Sequence, residues 1–141
     1  VAVPVEVGRC GEVLSSEAEP GLILTINFGD AQQCLVAYPR VPFYKLAEKL
    51  VSDGPMDSRL ERYARAILPT ATEVMPDKQG RILLPQSLRD QVGIQREVTW
   101  AGMFNRMEVW DRARWDDTHR ADLAEVSSLN KLYTEIVNNS K

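Results

Sequence analysis

Between residues 76 and 85 the chain reads Pro-Asp-Lys-Gln-Gly-Arg-Ile-Leu-Leu-Pro, a polar loop that runs straight into an apolar strand. An acid, Asp77, and a guanidinium, Arg81, are separated by Lys78, Gln79 and Gly80. Glycine at position 80 permits the positive φ of a tight turn, which would present Lys78 and Arg81 close together at the mouth of the strand. Asp77 cannot itself attract phosphate, but it can pair with Arg81 and fix the direction of its planar fork. A guanidinium held that way suits bidentate contact with O6 and N7 of guanine, while the Lys78 ammonium is a point charge better matched to phosphate. Gln79 can hydrogen-bond a base edge or a phosphate. The same residues equally make a plain turn closed by an internal salt bridge, and their spacing alone leaves both readings open.

Other reactive side chains are sparse. His119 is the single histidine and has no nucleophile or second ligand near it, and Cys10 and Cys34 stand apart without metal-ligand spacing. No nucleophile–base pair can be assembled, so no catalytic residue, metal or cofactor is expected. The two cysteines are expected as buried free thiols. Trp100, Trp110 and Trp115 have faces that can stack on nucleobases, but their strand-end and helix positions mark them as core or interface. Arg106 follows Asn105 in a turn and is expected to form an ion pair with Glu108 or Asp111 rather than to reach an external ligand.

The elements that must position the loop are bounded by composition. A chain of 141 residues with 44% apolar and 26% charged residues can bury a real core, as one domain or two intertwined halves. No apolar run approaches the roughly 20 residues of a membrane span, and no signal-peptide pattern opens the chain, so a cytoplasmic protein without membrane contact is expected. A net charge of −3 argues against a protein that holds polyanions merely by being basic. The distribution says more. Residues 1–39 set Arg9 against Glu6, Glu12, Glu17, Glu19 and Asp30, whereas residues 77–114 carry a local excess of Lys78, Arg81, Arg89, Arg96, Arg106, Arg112 and Arg114 over Asp77, Asp90, Glu97, Glu108 and Asp111.

The pattern of elements occurs twice. Val1-Ala-Val-Pro4 matches Ile82-Leu-Leu-Pro85, the β-rich run from Gly21 to Ile26 has its counterpart between Gln95 and Gly102, and Cys34–Pro39 parallels Arg106–Asp111. Two copies of strand, turn, strand, strand, helix imply a pseudo-twofold α+β domain. Pro42 can open a helix whose apolar stripe is Phe43, Leu46, Ala47 and Leu50. Ser58-Arg-Leu-Glu61 reads as a capping box for a second helix that stops at Pro69, and a last helix is expected from about Arg112 to Val137.

The run Asp77–Pro85, the strand Val98-Thr-Trp-Ala-Gly102 and above all Phe104-Asn-Arg-Met-Glu-Val-Trp-Asp111 resemble the second repeat of the MraZ family, bacterial transcriptional regulators of the division and cell-wall gene cluster. The likeness covers nearly the whole chain, since the first half matches in order where its residues differ. It implies a pseudo-twofold swapped-hairpin β-barrel of two tandem AbrB-like (SpoVT-AbrB) repeats with flanking helices, the first over residues 1–71 and the second over 72–141. It also implies a nucleoid-associated regulator that binds directly repeated DNA boxes as a closed ring of identical subunits, with Arg81, Lys78, Asp77 and Gln79 as the DNA-binding set. In that family each repeat carries such a loop, so a first loop is expected upstream of Val1. Subunit contacts are expected on Leu60, Tyr63 and Ile67 and on Leu123, Val126, Leu129 and Tyr133. Two other functions fit the same residues: an antitoxin-like dimer with a protein partner, and an oligomeric scaffold that binds no DNA.

Overall fold

A computed structural model describes residues 2–4, 21–28, 33–52, 58–79 and 81–140. In chain order its strands are β1 (Ala2–Pro4), β2 (Leu22–Phe28), β3 (Gln33–Pro39), β4 (Thr72–Val74), β5 (Arg81–Leu83), β6 (Val98–Gly102) and β7 (Met107–Asp111). The runs Leu22–Ile26 and Cys34–Ala37 are apolar at nearly every position, a density that only a sheet covered on both faces can bury. They pair as the antiparallel hairpin β2–β3. The second hairpin, β6–β7, joins it edge to edge through β3 and β7, and β4 adds to the free side of β2, giving the order β4-β2-β3-β7-β6. β1 and β5 form a separate two-stranded antiparallel ladder. The chain is therefore α+β, built on antiparallel sheet.

Alternation along the strands sorts side chains between two faces. Leu24, Ile26, Leu35, Ala37, Met107 and Val109 pack against Ile82 and Leu84 and against Leu88 and Val92 of helix α3 (Gln86–Val92). Both sheets thus enclose one core. The opposite face carries Thr25 and Val36 and is covered by α1 (Arg40–Ser52) and α2 (Ser58–Ile67), which bury Phe43 and Ile67. Thr25 Oγ1 lies 3.1 Å from Thr70 Oγ1 in the 3-10 turn Leu68–Thr70, where Thr70 Oγ1 donates to the Ile67 carbonyl at 2.7 Å. Toward β6 the same layer holds Cys34, Ala101 and Trp110 beneath Trp115 of α4 (Arg112–Asn139).

The helices follow the expected pattern with shifted ends. α1 starts at Arg40, which puts Pro42 in the first turn, where its missing N–H costs nothing. α2 gives way to the 3-10 turn before Pro69. Ile67, expected on an open face for subunit contact, is buried against the sheet instead, because the apolar stripe of α2 faces inward at that end. α4 is capped by Asp111 and runs 28 residues, about 42 Å. The strand registers set sequence counterparts opposite one another: Ala2 faces Leu83 and Val36 faces Glu108. α1 and α4 each begin directly after the matched strands β3 and β7.

Leu35 has no exposed surface and faces Ile26 on one side and Val109 on the other. Leu35→Ala should lower stability by about 2–5 kcal/mol, read as a fall in the urea midpoint with an unchanged m-value.

Candidate nucleic-acid interface

The loop between β4 and β5 runs from one sheet to the other and is anchored at both ends. β4 lies along β2 with Val74 opposite Leu22 and Glu73 opposite Ile23, and Arg40 at the head of α1 reaches Glu73 at 3.2 Å. The approach is close: a Cβ on Gly21 would sit 2.9 Å from the Glu73 carboxylate and 3.1 Å from Arg40 Cδ, so these side-chain ends would have to shift to admit one. At the other end Arg81 pairs with Pro4 in the β1–β5 ladder, and the buried side chains of Ile82 and Leu84 fix the strand in the core.

Asp77 organises the loop between these anchors. Its backbone N–H donates to the Arg81 carbonyl at 2.7 Å. Its Oδ1 accepts the backbone N–H groups of Gln79 at 2.8 Å and Arg81 at 2.9 Å, the Asx-type closure that suits aspartate to turns. Its Oδ2 accepts Arg81 Nε–H at 3.0 Å. The Arg81 backbone N–H, helped by that of Gln79 and by the guanidinium, holds the Asp77 carboxyl below its ordinary 3.8. Because Nε is the engaged nitrogen, the two terminal amino groups of Arg81 meet no acceptor among the described residues, and the side chain is exposed. Lys78 and Gln79 stand exposed at the tip of the turn, and Lys78 makes no ion pair among the described residues. Gly80, expected at positive φ, lies outside the described residues.

Elsewhere the local chemistry is structural. Arg106 Nη1 donates to Asn105 Oδ1 at 3.1 Å instead of pairing with Glu108 or Asp111. Both carboxylates are otherwise occupied: Glu108 accepts Trp110 Nε1–H at 3.0 Å, and Asp111 accepts the backbone N–H groups of Gln95 and Arg114. Trp110 is buried, while Trp100 and Trp115 are half-buried against the two apolar clusters. His119 stacks on Trp115 with ring centroids 4.7 Å apart. Cys34 is a buried free thiol pushed up to about 12, mainly by burial and then by Glu108. Cys10 lies outside the described residues. Among the described residues no group of three or more His, Cys, Asp or Glu is placed to hold a metal ion, and no helix is long and apolar enough to cross a membrane.

One exposed residue escapes notice in the sequence. The β6–β7 turn is closed by Met103 N–H to the Arg106 carbonyl at 2.8 Å and by Asn105 N–H to the Met103 carbonyl at 2.9 Å. The second bond makes Phe104 the centre of a γ-turn at φ 69°, a strained conformation for a bulky residue. Phe104 is 86% exposed. The available signal is the shortness of the Met103–Arg106 connection, which forces an apolar residue onto a tight turn.

The depressed Asp77 carboxyl gives the loop a pH signature. A group whose folded pKa lies below its unfolded value stabilises the fold above the unfolded value, and that contribution disappears as pH falls through the folded one. Carboxyl-carbon NMR should therefore place the Asp77 midpoint below 3.8, with the Arg81 Nε–H resonance moving at the same midpoint. A midpoint at or above the ordinary value would mean that the loop is open in solution.

Comparison with known proteins places this chain in a family. Residues 67–139 match the family model described as "MraZ protein, putative antitoxin-like". A protein of Dehalococcoides mccartyi named Transcriptional regulator MraZ is 39% identical over 101 residues, 72% of this chain and 70% of that protein. One of the same name from Parafrankia sp. is 36% identical over 109 residues, 77% of this chain and 73% of its own length. Another from Erwinia tasmaniensis is 32% identical over 135 residues, which cover 96% of this chain and 86% of that protein. With a family model matching more than half of it and relatives covering most of its length, the chain belongs to the MraZ family.

Proposed function

We propose that this chain is a sequence-specific DNA-binding transcriptional regulator whose operator-reading element is the Asp77–Arg81 loop. The observation that carries the reading is the Arg81 guanidinium, oriented through Nε by Asp77 with its terminal fork unspent and exposed. An end-on fork matches O6 and N7 of guanine, the exposed Lys78 supplies phosphate charge, and Gln79 offers an amide to a base edge. The names of the relatives, Transcriptional regulator MraZ, support the same function and speak against an enzyme.

The finer reading goes further. Residues 1–71 and 72–141 are two tandem AbrB-like repeats that interlock as a pseudo-twofold swapped-hairpin barrel. It is supported by the registers that set Ala2 opposite Leu83 and Val36 opposite Glu108, and by the matched starts of α1 and α4. One loop is a small recognition element, so several must act together. A closed ring of identical subunits on directly repeated boxes upstream of the division and cell-wall genes makes later contacts intramolecular, with avidity gains on the order of 10² to 10⁴. The exposed apolar residues Leu123, Val126, Leu129 and Tyr133 of α4 support self-association. The cytoplasm, at the nucleoid, is where such a protein works.

Mutants of the loop separate its parts. Arg81→Ala should weaken operator binding by about 1–3 kcal/mol for each engaged loop while leaving subunit assembly intact. Lys78→Ala should weaken specific and non-specific DNA alike and flatten the salt dependence by about one unit of slope per engaged loop. Asp77→Asn removes a negative charge, so electrostatics alone predicts tighter binding, whereas the orienting role predicts lost specificity. Gel-shift titrations over a range of salt concentrations read all three. Unchanged operator affinity and specificity in the Arg81→Ala protein would make the loop structural.

A further inference from the structure

Between β2, β3 and the α1–α2 pair lies a cavity of about 140 Å³ that the DNA-binding reading does not use. Val36, Phe43 and Ile67 form its buried walls, while Leu46 and Tyr63, 40% and 52% exposed, stand at its mouth. Tyr38 also lines it and packs on Phe43 with ring centroids 5.9 Å apart and planes tilted by 48°, and the polar side chains Thr25 and Asn27 join an otherwise mostly apolar lining. An apolar cavity of about 150 Å³ accepts one benzene-sized ring, and walls left bare forfeit dispersion contacts. The lining calls for an aromatic guest, because rings meet rings favourably edge to face.

The same chain carries a ring without a place. Phe104 is 86% exposed at the tip of the β6–β7 hairpin, on a γ-turn held by two backbone hydrogen bonds. Backbone strain of this kind persists where a side chain must be presented in one direction. An orphan phenyl and an empty phenyl-sized socket of matching chemistry, in every copy of the molecule, complement each other between copies.

We propose that the cavity under α1 and α2 is a socket for Phe104 of a second copy of this chain. The inference rests on the reading that the chain self-associates and adds the ring and the socket through which it does so. Because ring and socket are different surfaces, the contact is head to tail, the type that closes into rings when the rotation between copies divides a full turn.

The test replaces Phe104 with the photo-reactive p-benzoylphenylalanine in the full chain, mixes ¹⁴N and ¹⁵N copies, irradiates, and maps cross-links by mass spectrometry, with light scattering of the unsubstituted chain in parallel. Cross-links from position 104 to Phe43, Leu46 or Tyr63 that bridge light and heavy copies are expected. Cross-links confined to one isotopic copy would show that the ring fills its own socket and would overturn the proposal. An oligomer cross-linked elsewhere would refute the socket while leaving self-association intact, and a monomer at micromolar concentration would remove both. Phe104→Gly suits the positive φ, so it keeps the turn while deleting the ring; it should weaken association by at least about 30-fold, the loss of one anchoring residue. Leu46→Trp, which plugs the mouth, should do the same, and a mixture of the two variants should regain one contact per pair. Saturation of the cavity with toluene should compete with association; toluene binding without any effect on assembly would count against a second copy as the occupant.

Discussion

The rest of the molecule depends on the ladder between β3 and β7. Its pairs, Leu35 with Val109, Val36 with Glu108 and Ala37 with Met107, turn two hairpins into one sheet. A two-stranded hairpin is marginal in water by itself, and neither β2–β3 nor β6–β7 has a face wide enough to cover α3. Joined, they offer a continuous apolar surface on which Ile82, Leu88 and Val92 become inaccessible to water. The ladder also decides where the helices leave, since α1 follows β3 and α4 follows β7. α4 is then tied to α3: Arg114 Nη1 donates to the Val92 carbonyl at 2.9 Å, beside Gly93 at φ 70°. Gly93 closes α3 in a Schellman pattern, with its N–H on the Asp90 carbonyl and that of Ile94 on the Arg89 carbonyl.

A rigid core allows an exposed loop to be directional. Arg81 opens a strand whose next residue is fully buried, which anchors its backbone, and Asp77 restrains the direction of the guanidinium through Nε. In the proposed function the two cations divide the work. Asp77 partly compensates Arg81 and leaves it a weak point charge with a defined direction, while Lys78 keeps its full charge with little direction. A net charge of −3 does not conflict with binding a polyanion through this loop. Charges more than about 8–10 Å away are largely screened at physiological ionic strength, so the local balance decides.

What the sequence discloses depends on whether a residue's role is set by its neighbours in the chain. The helices α1, α2 and α4 are legible because apolar periodicity, Pro42 and Pro69 act locally, and the Asp77–Arg81 pairing is legible because a short turn leaves the carboxylate few other partners. β4 is not legible: Thr72–Val74 is three residues long, and only its position against β2 makes it a strand. Arg106 looks like an ion-pair partner of Glu108 or Asp111 until Trp110 and the start of α4 claim those carboxylates. Ile67 reads as surface because its stripe resembles an exposed one, and only the docking of α2 on Thr25 buries it. Phe104 is silent because its exposure follows from a single backbone angle.

The long helix carries the last step. No residue of α4 is buried, and from Ala121 to Ser140 every one is exposed, so among the described residues some 30 Å of helix has no tertiary packing. Most helical stability in proteins comes from packing of an apolar face. Here Val126, Leu129, Tyr133 and Ile136 alternate spacings of three and four, the seam of a short coiled coil, and all are exposed. In the proposed assembly this seam and the Phe104 socket lie on different elements, the seam on α4, the socket under α1 and α2, and its ring on the β6–β7 turn. Two separate adhesive surfaces per copy permit a chain of subunits to continue past a dimer. Which surface closes the ring is then a matter of geometry: a helix seam fixes an axis, whereas a single ring in a socket fixes a point and leaves the rotation free to be set by the seam.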